Sequence, residues 1–140
     1  MTDIENIYNE MQKRGIKIVN EKVASFKSVS LQDEDGRCMV AVDESKFETN
    51  AELHTALLHE NAHCAAGTFY NEKTPMFTRG WLEYKTDKYV AKNNITKESI
   101  ITAQKSGWCD NIWELAEYFN ISVAYMKKMM YIHFSVEFAD

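Results

Sequence analysis

The chain holds one proline and five glycines in 140 residues. That is too little to form a Pro/Gly-rich linker, and no internal repeat or low-complexity tract divides it. No apolar run approaches the roughly 20 residues that a bilayer-spanning helix needs. The opening Met1-Thr2-Asp3-Ile4-Glu5 is acidic and lacks the basic-then-apolar pattern of a secretion signal, so the expectation is a cytoplasmic protein with no membrane partner. There are only three cysteines, Cys38, Cys64 and Cys109. They fit no disulfide framework, and in a reducing compartment they are expected to be small packing residues rather than bridges. Positive charge is also short: 16 Lys and Arg face 21 Asp and Glu, a net of −5. A nonspecific nucleic-acid partner is disfavoured for want of a basic footprint. A basic protein partner stays open.

Apolar residues make up 45% of the chain and charged ones 26%, the balance of a globular domain with a real core. The expectation is one domain, 1–140, with three subregions: an N-terminal helix and sheet (1–48), a central helical pair (49–94) and a C-terminal helical part (95–140). Ile4, Ile7, Tyr8 and Met11 have helical spacing over 3–14, with Thr2 and Glu5 as a capping box and Gly15 as a stop. Residues 16–19 are a short strand candidate. Residues 24–31 and 37–42 flank Asp33-Glu34-Asp35-Gly36, a hairpin-turn signal. Thr49 and Glu52 open a helix over 50–66, with Leu53, Ala56 and Leu57 facing inward and Gly67 ending it. A second helix is predicted from about Phe77 to Asn93. Thr96, Asp110 and Ser122 are expected to cap helices over 97–106, 111–119 and 123–134. The fold class is α+β, with a short antiparallel sheet followed by a helical half.

The 50–66 helix carries His59-Glu60-Asn61-Ala62-His63. Histidines four apart stand about 40° apart around a helix, so both imidazoles can reach one zinc ion. The glutamate between them is placed to take a proton from water at the metal. A catalytic zinc site needs a third protein ligand. Glu83 on the next helix is the best candidate, with 20 residues after His63 for a turn and a return. Asp87, four residues on, shares its face. This E-x-x-x-D companion resembles the gluzincin pattern, in which the glutamate binds zinc and the aspartate orients a histidine ligand through its free ring N–H. Asp87 takes that role here, with His59 the expected partner and His63 the alternative. The bland reading is two incidental histidines, with Glu83 and Asp87 on a solvated face beside Lys85 and Lys88.

Other ligand geometries fit less well. A third histidine six residues after the second would fall on Phe69. Cys38 and Cys64 are alternatives that read better as packing. His54 is expected at the surface or boundary, turned away from the ligand pair. His133 reads as a core or boundary residue. Tyr70 and Tyr84 are both open as oxyanion donors. Gly80, between Arg79 and Trp81, is expected to allow close backbone approach. Residues 111–130 resemble a helix-turn-helix, with Leu115, Ala116, Phe119, Ile121 and Met126 spaced to pack two helices. Only Lys127 and Lys128 suit a recognition helix, so a structural hairpin is favoured, with Met126, Met129 and Met130 as core filling.

With these residues in view, the chain resembles the ImmA/IrrE family of zinc metallopeptidases. The resemblance rests on Leu57-Leu58-His59-Glu60-Asn61-Ala62-His63, on Gly67-Thr68-Phe69-Tyr70, on Arg79-Gly80-Trp81-Leu82-Glu83-Tyr84-Lys85-Thr86-Asp87-Lys88, and on Glu114-Leu115-Ala116-Glu117-Tyr118-Phe119. It implies a small zincin-like fold with one Zn2+ per chain held by His59, His63 and Glu83, and with Glu60 as catalytic base. Where the family often has Leu-Gly inside the motif, this chain has Asn61-Ala62. Where it often has alanine three residues after the ligand glutamate, this chain has Thr86. The implied activity is a metalloendopeptidase that cleaves a helix-turn-helix repressor of a phage or mobile element. The rivals are a zinc-containing protein that binds its partner without hydrolysis, and a DNA-binding regulator using 111–134.

Overall fold

Among the described residues, five of the six α-helices start at a side chain that closes an otherwise unpaired backbone N–H. The computed structural model describes residues 2–22, 25–107 and 111–138. Thr2, Thr49, Thr96, Asn111 and Ser122 each accept from the N–H three residues on, opening α1 (Asp3–Lys13), α2 (Asn50–Ala66), α4 (Lys97–Lys105), α5 (Ile112–Phe119) and α6 (Val123–Phe134). The exception is α3 (Met76–Asn93), which follows Pro75 with no side-chain cap. The α5 cap is Asn111 rather than Asp110; Asp110 and Cys109 lie outside the described residues.

Three strands precede the helical half: β1 (Lys17–Asn20), β2 (Ser28–Gln32) and β3 (Cys38–Val42). The β2–β3 hairpin forms at the Asp-Gly turn, with Gly36 at φ 82° and Gln32 opposite Cys38. The sheet is not wholly antiparallel, however. Its order is β1-β3-β2, and β1 pairs parallel to β3. The chain after β1 passes to the far edge of the sheet, so β3 is central and β2 forms an edge. Met39-Val40-Ala41-Val42 suits that centre, because Val40 and Val42 are fully buried.

One core joins sheet and helices. Met11 of α1, Val40 and Val42 of β3, Leu57 of α2, Val90 of α3, Ile100 of α4 and Met126 and Met129 of α6 are all fully buried within it. The 111–134 segment is a structural hairpin in this packing. Leu115, Ala116, Ile121 and Met126 are buried and Phe119 packs partly buried against them. The hairpin is also bolted to α2: the Ser122 N–H donates to Thr55 Oγ1 at 2.9 Å, and His54 Nδ1 meets the Asn120 carbonyl at 2.8 Å. His54 is therefore buried, not a surface residue; the α5–α6 turn covers the helix face that spacing alone leaves open.

Two further expectations change. Cys38 of β3 and Cys64 of α2 are joined as a disulfide, with their Cα atoms 5.8 Å apart. The sequence offers no pairing because its two members come from a strand and a helix that only the tertiary packing brings together. Gly80 meets no close neighbour; a Cβ there would touch nothing within 4 Å. No helix among the described residues is long and apolar enough to cross a membrane.

Candidate metal centre

The α2 helix turns one side toward the sheet and α3, and the motif lies on that side. His59 and His63 present their Nε2 atoms to each other at 3.0 Å. From α3, Glu83 meets both: Oε2 is 3.0 Å from His59 Nε2, and Oε1 is 3.2 Å from His63 Nε2. One ligand atom from each of His59, His63 and Glu83 lies within 4.8 Å of the others, so the group could hold a metal ion. Two imidazole nitrogens and one carboxylate oxygen are a donor set that suits zinc with one position left open.

The orientation of His63 is built from the chain around it. Gly67 ends α2 in the left-handed region at φ 68°, and the Gly67 and Thr68 N–H groups both donate to the His63 carbonyl. This turn brings Thr68 back over the ring. His63 Nδ1 lies 2.9 Å from the Thr68 carbonyl and 3.0 Å from its hydroxyl. A carbonyl only accepts, so Nδ1 carries a proton and Nε2 is the nitrogen turned to Glu83 and available to a metal. The chain continues into α3. Thr86 Oγ1 donates to the Leu82 carbonyl at 2.8 Å, which spends its one proton. The 2.6 Å contact between the Thr68 and Thr86 hydroxyls must then be donated by Thr68. All the donors in this relay point from the histidine toward α3. The sequence marked Thr86 only as a departure from a family pattern and passed over Thr68; nothing in residue spacing encodes a bond between them.

Asp87 faces the expected histidine at the expected nitrogen, 3.8 Å from His59 Nδ1, but this exceeds a hydrogen bond. Its Oδ1 is buried, with the Tyr125 hydroxyl beside it. Burial pushes the Asp87 carboxyl up, opposed by Lys128, whose Nζ lies 3.9 Å from Oδ2. Glu83 is held well below the usual carboxylate range: hydrogen bonds from His59, His63 and Tyr70 outweigh the opposing effect of burial. For His59, burial lowers the pKa, but the bond to Glu83 and the nearby carboxylates raise it further than that. In the absence of metal, the Glu83 charge therefore favours the protonated form of His59.

Glu60 stays outside the ligand cluster. Its Oε2 accepts a 2.7 Å hydrogen bond from Ser28 Oγ on β2, while Glu60 itself is nearly buried. Ser28 was invisible to spacing arguments because it lies on an edge strand far from the motif in sequence. A cleft of about 210 Å3 opens here, lined by residues of β2 and by Glu60, Tyr70 and the three ligand candidates. Tyr70 donates its hydroxyl to Glu83 Oε1 at 2.7 Å, a bond that raises its own pKa to about 12. Tyr84 is absent from this cleft, and His133 bonds the Ile95 carbonyl at 2.8 Å instead of entering it. Cys38 is tied to Cys64 and offers no third ligand. Asn61, inside the motif, is fully buried with neither amide atom hydrogen-bonded.

No family model, curated protein or solved structure matches the chain.

Proposed function

We propose that this chain is a zinc-dependent endopeptidase of the ImmA/IrrE type, with a zincin-like arrangement and one Zn2+ per chain. Its substrate is a regulatory protein, a helix-turn-helix repressor of a phage or mobile element, as the motif resemblance implies. The observation that carries the reading is a division of labour. His59, His63 and Glu83 converge on one point, while Glu60 is kept out of that cluster and held by a different element. A purely structural metal site is closed by four ligands and has no use for such a glutamate.

His59, His63 and Glu83 would hold the zinc, which would supply Lewis acidity to polarise a carbonyl and make water a better proton donor. Thr68 and Thr86 hold His63 in the tautomer that leaves Nε2 free. Ser28 occupies Oε2 of Glu60, which leaves Oε1 to take the proton of the attacking water and later return it to the leaving nitrogen. Tyr70 lines the cleft and Tyr84 does not, so Tyr70 is the donor to the developing oxyanion once its hydroxyl turns from Glu83. The substrate lies along β2. Strand addition falls to β2 because β3 is central and paired on both sides, whereas β2 is an edge bordering the cleft.

Metal content and turnover, measured together, test this. The wild type and Glu60→Gln should each hold one zinc, and Glu83→Ala should bind it far more weakly. Incubation with a candidate repressor should give one cleavage product with the wild type, and Glu60→Gln should be slower by about 10²–10⁴. Failure to bind zinc after reconstitution would overturn the reading. Undiminished cleavage by Glu60→Gln would overturn the role of Glu60.

A further inference from the structure

The outer face of α3 carries an amphipathic pattern turned the wrong way. Phe77, Trp81 and Tyr84 fall at i, i+4 and i+7, the spacing of a helix's buried stripe. They are 90%, 52% and 41% exposed, because the first half of α3 packs on the core only through its opposite side, and burial of Thr86, Asp87, Val90 and Ala91 begins in its second half. Exposed rings in a row mark an interaction site more often than a bare surface. The stripe runs alongside a groove of about 530 Å3 between α3 and α6. Gly80 and Tyr84 line one wall, Lys127, Lys128 and Tyr131 the other, and Glu83 of the metal centre opens into it. The lack of a side chain at Gly80 keeps that wall low.

Charge selects the occupant. In a chain of net −5, α3 and α6 carry six Lys and Arg against two carboxylates. Both carboxylates, Glu83 and Asp87, turn toward the histidines. The lysines stay with the rings: Lys85 Nζ lies 5.2 Å from the Trp81 ring centre and Lys88 Nζ 5.4 Å from that of Tyr84. The surface is therefore apolar along its middle with lysines predominating on its flanks, Glu137 being the one further carboxylate in the groove lining, on a protein that is otherwise acidic.

We propose that the α3–α6 face is a docking surface for an amphipathic helix with acidic flanks, carried by the protein substrate outside the segment that is cut. Its apolar side meets Phe77, Trp81 and Tyr84, and its carboxylates meet Lys85, Lys88 and Lys128. From Phe77 to Lys88 the stripe spans about 16 Å, three turns of a helix. The use made of docking rests on the peptidase reading; the docking itself does not. A protein helix fits better than single-stranded nucleic acid, because lysine ammonium groups already cover ring faces on which bases would stack.

The test is fluorescence anisotropy with the full chain and a labelled helix-forming peptide as long as α3, with leucine and phenylalanine on one face and glutamate elsewhere. The controls are the same peptide with lysine for glutamate, and a labelled single-stranded oligonucleotide. The acidic peptide should bind, and the Phe77→Ser/Trp81→Ser double variant should weaken it about tenfold or more. Lys85→Glu/Lys88→Glu should do the same and favour the basic peptide instead. All four sites are exposed, and an unchanged circular dichroism spectrum confirms folding. Equal binding of both peptides, indifference to the variants, or binding of the oligonucleotide alone would overturn the proposal. Wild-type protein stripped of metal by a chelator should bind the peptide as the zinc-loaded protein does. Docking without any hydrolysis would thus sink the peptidase reading alone, and hydrolysis without docking would sink this proposal alone.

Discussion

Thr86→Val isolates the relay behind His63 with almost no change of shape. Valine keeps the branched volume at a fully buried position and removes only the hydroxyl. Three contacts go with it: the 2.8 Å bond to Leu82 O, the 2.6 Å bond from Thr68 and the 3.3 Å contact with His63 Nδ1. The Leu82 carbonyl belongs to α3 and keeps its helical partner. The Thr68 hydroxyl is the group left short, in a setting only 3% exposed. Leaving a buried donor unpaired costs about 1–3 kcal/mol. To recover, the hydroxyl turns its proton elsewhere and no longer accepts reliably from His63 Nδ1. Loss of a partner behind a metal ligand typically costs about 10–100-fold in affinity. The Thr68 carbonyl remains 2.9 Å from Nδ1, so the tautomer survives and the lower end applies. The expected result is about a tenfold loss of zinc affinity, or about 1.4 kcal/mol, by competition with a chromophoric chelator. Thr86→Ser keeps the hydroxyl and should stay within about threefold of wild type, because only packing changes. A folded Thr86→Val protein with wild-type zinc affinity would show that the relay does not support the metal.

Asn61→Leu should stabilise the protein by about 1–3 kcal/mol in urea unfolding, because it replaces a buried amide with no hydrogen-bond partner by a side chain of similar size; a destabilisation would mean that the amide is satisfied in solution. Reduction of the Cys38–Cys64 bridge, which spans 26 residues, should cost about 2–4 kcal/mol through the entropy it returns to the unfolded chain, and two free thiols in the native protein under non-reducing conditions would refute the bridge. The metal-free protein should show a window of pH stability. Glu83 is lowered from 4.5, so its contribution is present above about that pH and is lost as pH falls; His59 is raised from 6.5, so its contribution is present below about that pH and is lost as pH rises through the folded value. Metal-free Glu83→Ala should lose both limbs, and an unchanged profile would dissociate the pair from stability.

The helices were legible because each is written locally. Thr49 with Glu52 and Ser122 with Tyr125 close the caps within three residues, and Gly67 ends α2 with its own backbone. The ligand pair was legible for the same reason: His59 and His63 share a face by helical geometry alone. Glu83 was reached by adding one assumption, that the next helix returns beside the first, and α3 does so. Sheet order was not legible. Hairpin signals describe a turn between neighbours, and nothing between β1 and β2 states that the chain will pass to the other edge and leave β3 in the middle.

What escaped the sequence at the site has one physical cause. Thr68, Thr86 and Ser28 act through hydroxyls, and a hydroxyl bonds whatever its tertiary neighbours offer, with no spacing rule to betray it. Histidine and glutamate are rare enough in a helix core to be noticed; a threonine or a serine is not. The sheet topology decides which of these hydroxyls matters. Because β3 takes the centre, β2 is the strand left with an open edge beside α2, and Ser28 at its start reaches Glu60. The same placement brings Glu60 and any peptide on that edge into one cleft. The general base and the peptide-binding edge are therefore positioned by one strand, and a change that shifts β2 should disturb both together while leaving His59, His63 and Glu83, which sit on α2 and α3, in place.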